Sequence, residues 1–425
     1  MMSLRIQCIK TIEKILEEKA FFNALKSDFK TQDTAFANFL ILTALRRKSV
    51  IDKLLGKILV KKISQKNKVL EYILLLASTE ILYMDTPDYA AINEYVNIAK
   101  KLSGKFSSSM VNAVLRKICN HKDEMQNAAE FPETFKQILK DDYKKEQIHQ
   151  MEQMLLSEPP LDITPKENPK FWAQELNGTL FENGTIRLKK DALSITSLKG
   201  YKEGSWWVQD LAASLPVCLL GNIKGKKVLD LCAAPGGKTA QLLSKGAVVT
   251  ALDISQDRLE TLKENMARLN LTENLNILCA DAFKYLESTE DIFDIILIDA
   301  PCSATGTFRR HPEILFSKTF DDIKSVQNIQ QKLLEASASH LCLDGKLIYC
   351  TCSVAKKEGE EQIEKFLKNH PEFTLQDLVS NVKTCEGINL DKNIVDKKVL
   401  RTLSYHMKNF GGMDSFFAAC MVRSK

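Results

Sequence analysis

Two short stretches bring reactive side chains close together: Leu347-Ile-Tyr-Cys350-Thr-Cys352-Ser353-Val354 and Asp299-Ala-Pro-Cys302. Each follows or closes an apolar run that reads as a buried strand, so the cysteines stand at or near strand ends. Cysteine is common in cores as a small hydrophobe, which is the plain alternative to a reactive role. As a nucleophile it needs ionisation: a free thiol with a pKa near ~8.5 is only a few per cent thiolate at neutral pH, so a site that uses one must lower that value.

Neighbouring strand ends carry three carboxylates and a glycine-rich turn. The run KKVLDLC opens into Leu231-Cys232-Ala233-Ala234-Pro235-Gly236-Gly237-Lys238, whose two glycines are expected to let backbone approach a ligand closely. It has neither the G-x-G-x-x-G of a dinucleotide site nor the Lys-Ser/Thr of a P-loop, which argues against NAD and nucleoside triphosphates. The next three apolar runs end in Asp253, Asp281 and Asp299. Singly, each acid is as well explained as a helix N-cap. Together, after that turn, they describe a nucleoside-bearing ligand without a phosphate. S-adenosylmethionine fits: Asp253 can accept ribose hydroxyls, and the sulfonium and amino groups favour nearby carboxylates.

The elements that must position these residues follow from hydrophobic period. After Trp206, β-rich apolar runs alternate with helical segments, which predicts right-handed crossovers and a Rossmann-like α/β core with a mostly parallel sheet. Such sheets bind ligands at the carboxyl ends of their strands. The last run, SFFAACMVR, has no helix before it and is expected to be antiparallel. Residues 3–118 show apolar spacing of three and four throughout, an all-α bundle. The expected organisation is a helical domain over 1–125, a helical connector over 126–158, a small α+β docking segment over 159–205 and a catalytic domain over 206–425. In the third, Asn183-Gly184 within LFENGTIRL suits a hairpin with a type I′ turn.

The pieces VLDLCAAPGGKT, the acids of TALD and CAD, DAPCSATG, TCS and the upstream WVQDLAAS resemble the Sun family of RNA cytosine C5-methyltransferases, over about the last half of the chain. The chemistry explains the thiols. C5 of cytosine is too poor a nucleophile to take a methyl group unaided, and a thiolate added at C6 makes it enamine-like. Residue chemistry alone does not choose between Cys302 and Cys352. The resemblance implies Cys352 as nucleophile and Cys302 in product release, with Asp299 near cytosine N3 and N4 and Lys238 lining the pocket. Cys232, Ala233, Ala234, Pro235, Gly236, Gly237, Lys238, Asp253, Asp281 and Asp299 are expected to hold S-adenosylmethionine, and Arg309 and Arg310 to contact RNA phosphate. Cys350 has no counterpart in the motif and is assigned to packing.

In the front half, NFLILTALRRKSVIDKLL, LLLASTEILYMDTPDYAAINEYVNIAKKL and MVNAVLRKI resemble the NusB-like RNA-binding domain fused to this core in bacterial small-subunit ribosomal RNA methyltransferases. That fusion implies a 16S ribosomal RNA substrate, free or in an early small-subunit particle. The alternatives are C5 methylation of transfer or another RNA, and an inactive RNA-binding assembly factor. The chain departs from the family after Pro160, where Leu161-Asp-Ile-Thr replaces an Arg-bearing stretch, and after Ser353, where Val354-Ala-Lys-Lys-Glu-Gly-Glu-Glu stands. It departs again near Gly412. None is expected to touch the chemistry.

Charge agrees with a polyanion partner. Residues 1–125 hold 21 Lys and Arg against 13 Asp and Glu, while the whole chain is at +5. No apolar run reaches the roughly 20 residues of a membrane span, and YILLLASTEILYM is interrupted by Glu80. Eleven cysteines without a C-x-x-C pair suggest neither a disulfide framework nor a metal site. The expectation is a monomeric cytoplasmic protein that does not bind membranes.

Overall fold

The computed structural model describes residues 3–25, 29–30, 33–189, 194–376, 395–396 and 398–424. The chain forms two compact units: residues 1–158 with 307–319, and residues 159–306 with 320–425.

The first unit is helical. Its long helices span Leu4–Glu18, Thr34–Ile58, Val69–Tyr83 and Asp88–Ile118, the last interrupted at Gly104, where φ is 86°. Val69–Tyr83 is apolar around nearly its whole circumference and so becomes the bundle's central helix, buried from Tyr72 through Leu82. Glu80, the one acid in that stretch, is fully buried. It accepts bonds from Arg5 Nε at 2.9 Å and Tyr95 Oη at 3.0 Å, which satisfy a charge that would otherwise be costly inside a bundle. No helix among the described residues is long and apolar enough to cross a membrane.

The second unit holds two sheets. A small antiparallel sheet has β1 (Leu161–Pro165), β2 (Thr179–Leu180), β3 (Ile186–Leu188) and β4 (Trp206–Val208) in the order β2-β3-β1-β4. Its fourth strand lies beyond residue 205, so the small sheet runs into the segment expected to be catalytic. The predicted hairpin forms, but not with a type I′ turn. Phe181 and Gly184 close a bond of 2.9 Å, and only Gly184 has positive φ, at 88°. Asn183 is not at positive φ, and its side chain bonds Thr185 and Ser214. The loop is thus a turn followed by a left-handed glycine.

The large sheet has β5 (Lys227–Leu231), β6 (Val248–Asp253), β7 (Leu275–Cys279), β8 (Phe293–Asp299), β9 (Leu341–Thr351), β10 (Phe373–Leu375), β11 (Val395–Asp396), β12 (Val399–Thr402) and β13 (Phe416–Arg423). The order is β11-β12-β13-β9-β8-β5-β6-β7, with β10 also on β13. Strands β5 to β9 are parallel, and β13 returns antiparallel against β9, as the lack of a preceding helix predicts. Alternation along β8 and β9 fills two cores: Ile295, Leu297 and Ile348 face one side, and Ile296, Ile298 and Leu347 the other. With both faces covered, only the strand ends are left for chemistry.

Candidate active site

Strands β8 and β9 pair in register so that Asp299 lies opposite Cys350. One turn follows each strand, and the two turns bring Cys302 Sγ to 3.4 Å from Cys352 Sγ. Both thiols are half-buried on the wall of a cavity of about 480 Å³. Contact with Cys352, then burial, raises the Cys302 thiol well above its ordinary pKa. Cys350 is not on the cavity wall: it is fully buried in the sheet core, its thiol is raised by burial, and its Sγ lies 3.5 Å from Asp299 Oδ1.

Asp299 Oδ2 accepts a bond from Lys238 Nζ at 2.8 Å, and that ammonium also lies 5.0 Å from the centre of the Phe416 ring. Burial alone would favour a neutral amine, but the neighbouring Asp299 carboxylate outweighs it and raises the Lys238 pKa. Lys238 is nonetheless not on the cavity wall. It acts on the cavity through Asp299.

Of the expected cofactor residues, Cys232, Asp253, Asp281 and Asp299 line the cavity. Ala233 through Lys238 are not on its wall. Gly236 sits at φ 103°, a left-handed conformation that itself asks for glycine, and a Cβ there would also come within 3.0 Å of Leu262 and 3.1 Å of Met266. A Cβ on Gly237 would meet Gln209 at an ordinary 3.7 Å. The turn is instead secured through Asp253, whose oxygens accept bonds from Ala234 N at 3.2 Å and Ser255 N at 3.0 Å. Asp281 caps the helix Ala282–Ser288, with Oδ1 taking the N–H groups of Phe283 and Lys284. Its Oδ2 makes no hydrogen bond among the described residues.

This donor set suits S-adenosylmethionine. Three carboxylates face a space of ligand size, and the exposed aliphatic side chains of Ile254 and Ile329 supply apolar wall for a base. Asp253 and Asp281 retain acceptor capacity, since an ionised carboxylate offers about four lone-pair positions.

One buried carboxylate was not foreseen. Glu358, in the stretch after Ser353 expected to lie away from the chemistry, is fully buried and accepts bonds from Ser303 N at 2.8 Å, Gln330 Nε2 at 3.1 Å, and the hydroxyls of Ser303 and Ser353. A Glu five residues after TCS was the available signal; its reach depends on three chain segments converging.

Two further expectations are revised. Arg309 is fully buried in the helical unit: Arg46 donates to its carbonyl from Nη2 at 3.0 Å, and the preceding Phe308 packs on Phe131 and Phe135. Its side chain is closed off from RNA phosphate; Arg310, in the same segment, is half-buried. Asp162, where the family has an Arg-bearing stretch, faces inward and pairs with Arg187 through two bonds of 2.7 and 2.8 Å. That position therefore serves the small sheet and not an RNA contact.

Residues 217–422 match the family model described as 16S rRNA methyltransferase RsmB/F, and residues 2–120 match the NusB family. The chain is 31% identical to ribosomal RNA small subunit methyltransferase B of Vibrio cholerae serotype O1, covering 83% of this chain and 85% of that one. The counterpart of the same name in Vibrio vulnificus is 32% identical, over 81% and 85%. In structure, the chain is similar to the crystal structure of PH0851, with a TM-score of 0.75, 21% identity and 99% of both chains covered. It is also similar in fold to NSun6 from Pyrococcus horikoshii solved with SFG, with a TM-score of 0.58, 19% identity, and 69% and 99% covered.

Proposed function

Because the chain belongs to the 16S rRNA methyltransferase RsmB/F family and is an S-adenosylmethionine-dependent ribosomal RNA methyltransferase, we propose that it methylates C5 of a cytosine in 16S ribosomal RNA through a covalent Cys352 adduct. S-adenosylmethionine, when bound, supplies an electrophilic methyl group. Asp253, Asp281 and Asp299, on the cavity wall at the strand ends, would hold it. Cys352 Sγ adds to C6 of the cytosine, and the C5=C6 electron pair is drawn toward C5 and the N3 side of the ring. Asp299, fixed by Lys238, stands at that side and meets N3 and N4.

C5 then takes the methyl group. Cys302 gives its own proton to water and, as thiolate, takes the C5 proton; the C5=C6 double bond re-forms and the S–C6 bond breaks to return Cys352 as thiolate. The pair's electrostatics favour this order. The Cys352 contact is the largest cause raising Cys302, and adduct formation removes the negative charge from Cys352. Cys302 becomes easier to ionise at the step that needs a base.

The observation that carries the reading is the 3.4 Å approach of two thiols on the wall that also bears the three acids. The helical unit, with its basic balance, serves RNA binding. The reading has the enzyme work as a cytoplasmic monomer on 16S RNA, free or in an early small-subunit particle. Labelled S-adenosylmethionine incubated with small-subunit RNA and with transfer RNA tests it: 5-methylcytosine is expected in the former, and label confined to transfer RNA overturns the substrate assignment.

A further inference from the structure

Cys302 and Cys352 are each followed directly by a serine, and Ser303 and Ser353 bond the same carboxylate, that of Glu358. Glu358 Oε1 also takes the Ser303 backbone N–H and the Gln330 amide, whose Nε2 donates in addition to the Pro301 carbonyl at 3.0 Å. Thr305 Oγ1 closes the arrangement, 3.0 Å from Ser303 Oγ and 3.1 Å from Ser353 Oγ, while accepting the Val354 N–H. From outside, Arg401 Nη1 donates to the Ser353 carbonyl at 2.6 Å, and Tyr349 Oη to the Glu358 carbonyl at 2.8 Å.

A buried carboxylate satisfied wholly by neutral donors is an expensive choice for joining two turns. Among the described residues no lysine or arginine forms a salt bridge with Glu358. Its return is geometric: two turns from strands 50 residues apart close on one anchor, with each thiol one residue upstream of an anchored serine. We infer that Glu358 is a positioning residue, which sets the separation and aim of the two cysteines by holding both serine turns on a single side chain. The inference rests on the two-cysteine reading above. In support, the Glu358 charge is among the causes that keep the Cys302 proton in place.

The test uses the full-length enzyme, a 16S RNA transcript containing 5-fluorocytosine, and S-adenosylmethionine. Fluorine at C5 blocks elimination, so the covalent adduct accumulates and its single-turnover rate can be followed. Glu358→Ala is expected to slow adduct formation about 100-fold, the scale of an ångström-sized misplacement of reacting groups. S-adenosylmethionine binding and the RNA concentration dependence should stay within about threefold, because neither ligand touches Glu358. Glu358→Gln keeps acceptors for Ser303 N–H and lets both serine hydroxyls rotate to accept, so it should recover to within about tenfold of wild type.

If Glu358→Ala does not give folded protein, Ser303→Ala and Ser353→Ala, each cutting one bond to the same anchor, must both slow adduct formation with cofactor binding retained. A wild-type adduct rate in folded Glu358→Ala, or in both serine variants, overturns the inference alone. So does a folded Glu358→Gln as slow as Glu358→Ala, which would assign the effect to charge. A wild-type enzyme that methylates RNA yet forms no adduct with the fluorinated transcript overturns the two-cysteine reading, and this inference with it.

Discussion

Cys302 Sγ and Cys352 Sγ, 50 positions apart in the sequence, lie 3.4 Å apart after two adjacent parallel strands. At that distance the two cannot act independently, and their roles separate by what each variant traps. Cys352→Ala should form no covalent RNA adduct and transfer no methyl group. Cys302→Ala should add to C6 and methylate but stall, so that an adduct resistant to denaturing gel electrophoresis accumulates even on unmodified RNA. The opposite pattern would exchange the roles.

The same pair predicts a pH effect. Contact with Cys352 is the largest cause holding the Cys302 thiol high, so removing it lowers the pH at which Cys302 ionises. In Cys352→Ala, mixed-disulfide formation at Cys302 by a small methanethiosulfonate should reach half its maximal rate at a lower pH than in wild type. Peptide mass spectrometry of samples quenched across pH 6 to about 10 reads the midpoint. An unchanged or higher midpoint would contradict the coupling of the two thiols.

How much of this could be read from residue types is uneven, for physical reasons. The convergence of Asp253, Asp281, Asp299, Cys302 and Cys352 was legible because strand ends in a parallel sheet share one edge, whatever the intervening crossovers do. Gly236 has two readings in the sequence, because a left-handed turn packed on Leu262 and a backbone approached by a ligand both ask for glycine. Arg309 reads as a surface charge in the sequence, whereas residues 307–319 group with the helical unit and Arg309 is fully buried. Glu358 depends on Ser303, Gln330 and Ser353 meeting at one point, which no local pattern encodes. In place of the type I′ turn, Asn183 is not at positive φ and bonds to Ser214, distant in sequence.

Gly306 should tolerate no side chain. A Cβ there would stand 2.0 Å from the Ser415 carbonyl oxygen and 2.8 Å from that of Cys352, both backbone atoms that cannot swing aside. Its own N–H donates to the Cys352 carbonyl at 2.9 Å. Gly306→Ala therefore has to push the Cys302 turn away from β9, at a cost of about 3 kcal/mol or more. Thermal unfolding should show the loss, and methyl transfer measured well below the lowered Tm should fall as well. Full activity with an unchanged Tm would contradict the packing.

Arg187 and Asp162 form a buried pair, with Arg187 Nη1 also donating to the Phe410 and Gly412 carbonyls at 2.7 Å each. Removing the cation alone strands the carboxylate, so Arg187→Ala should destabilise by about 3 to 5 kcal/mol in denaturant unfolding. The Asp162→Leu, Arg187→Met double variant should recover part of that loss, since no charge is left buried. A single variant as stable as wild type would refute the pairing.

Asp230 lies fully buried within β5, with Oδ2 taking the Thr239 hydroxyl at 2.6 Å and Oδ1 unbonded among the described residues. Burial raises its pKa from 3.8 to about 7. The folded chain thus binds a proton that the unfolded chain has released across that interval. Stability from this group is fully present below about pH 4, falls as pH rises, and is lost above about pH 7, at most on the order of 4 kcal/mol. Asp230→Asn cannot ionise but can still accept from Thr239. Between pH 5 and pH 8.5, wild type should lose more stability than Asp230→Asn in urea unfolding, and the variant should be the more stable of the two at the alkaline end. Parallel curves for the two proteins would mean that Asp230 stays ionised inside the sheet.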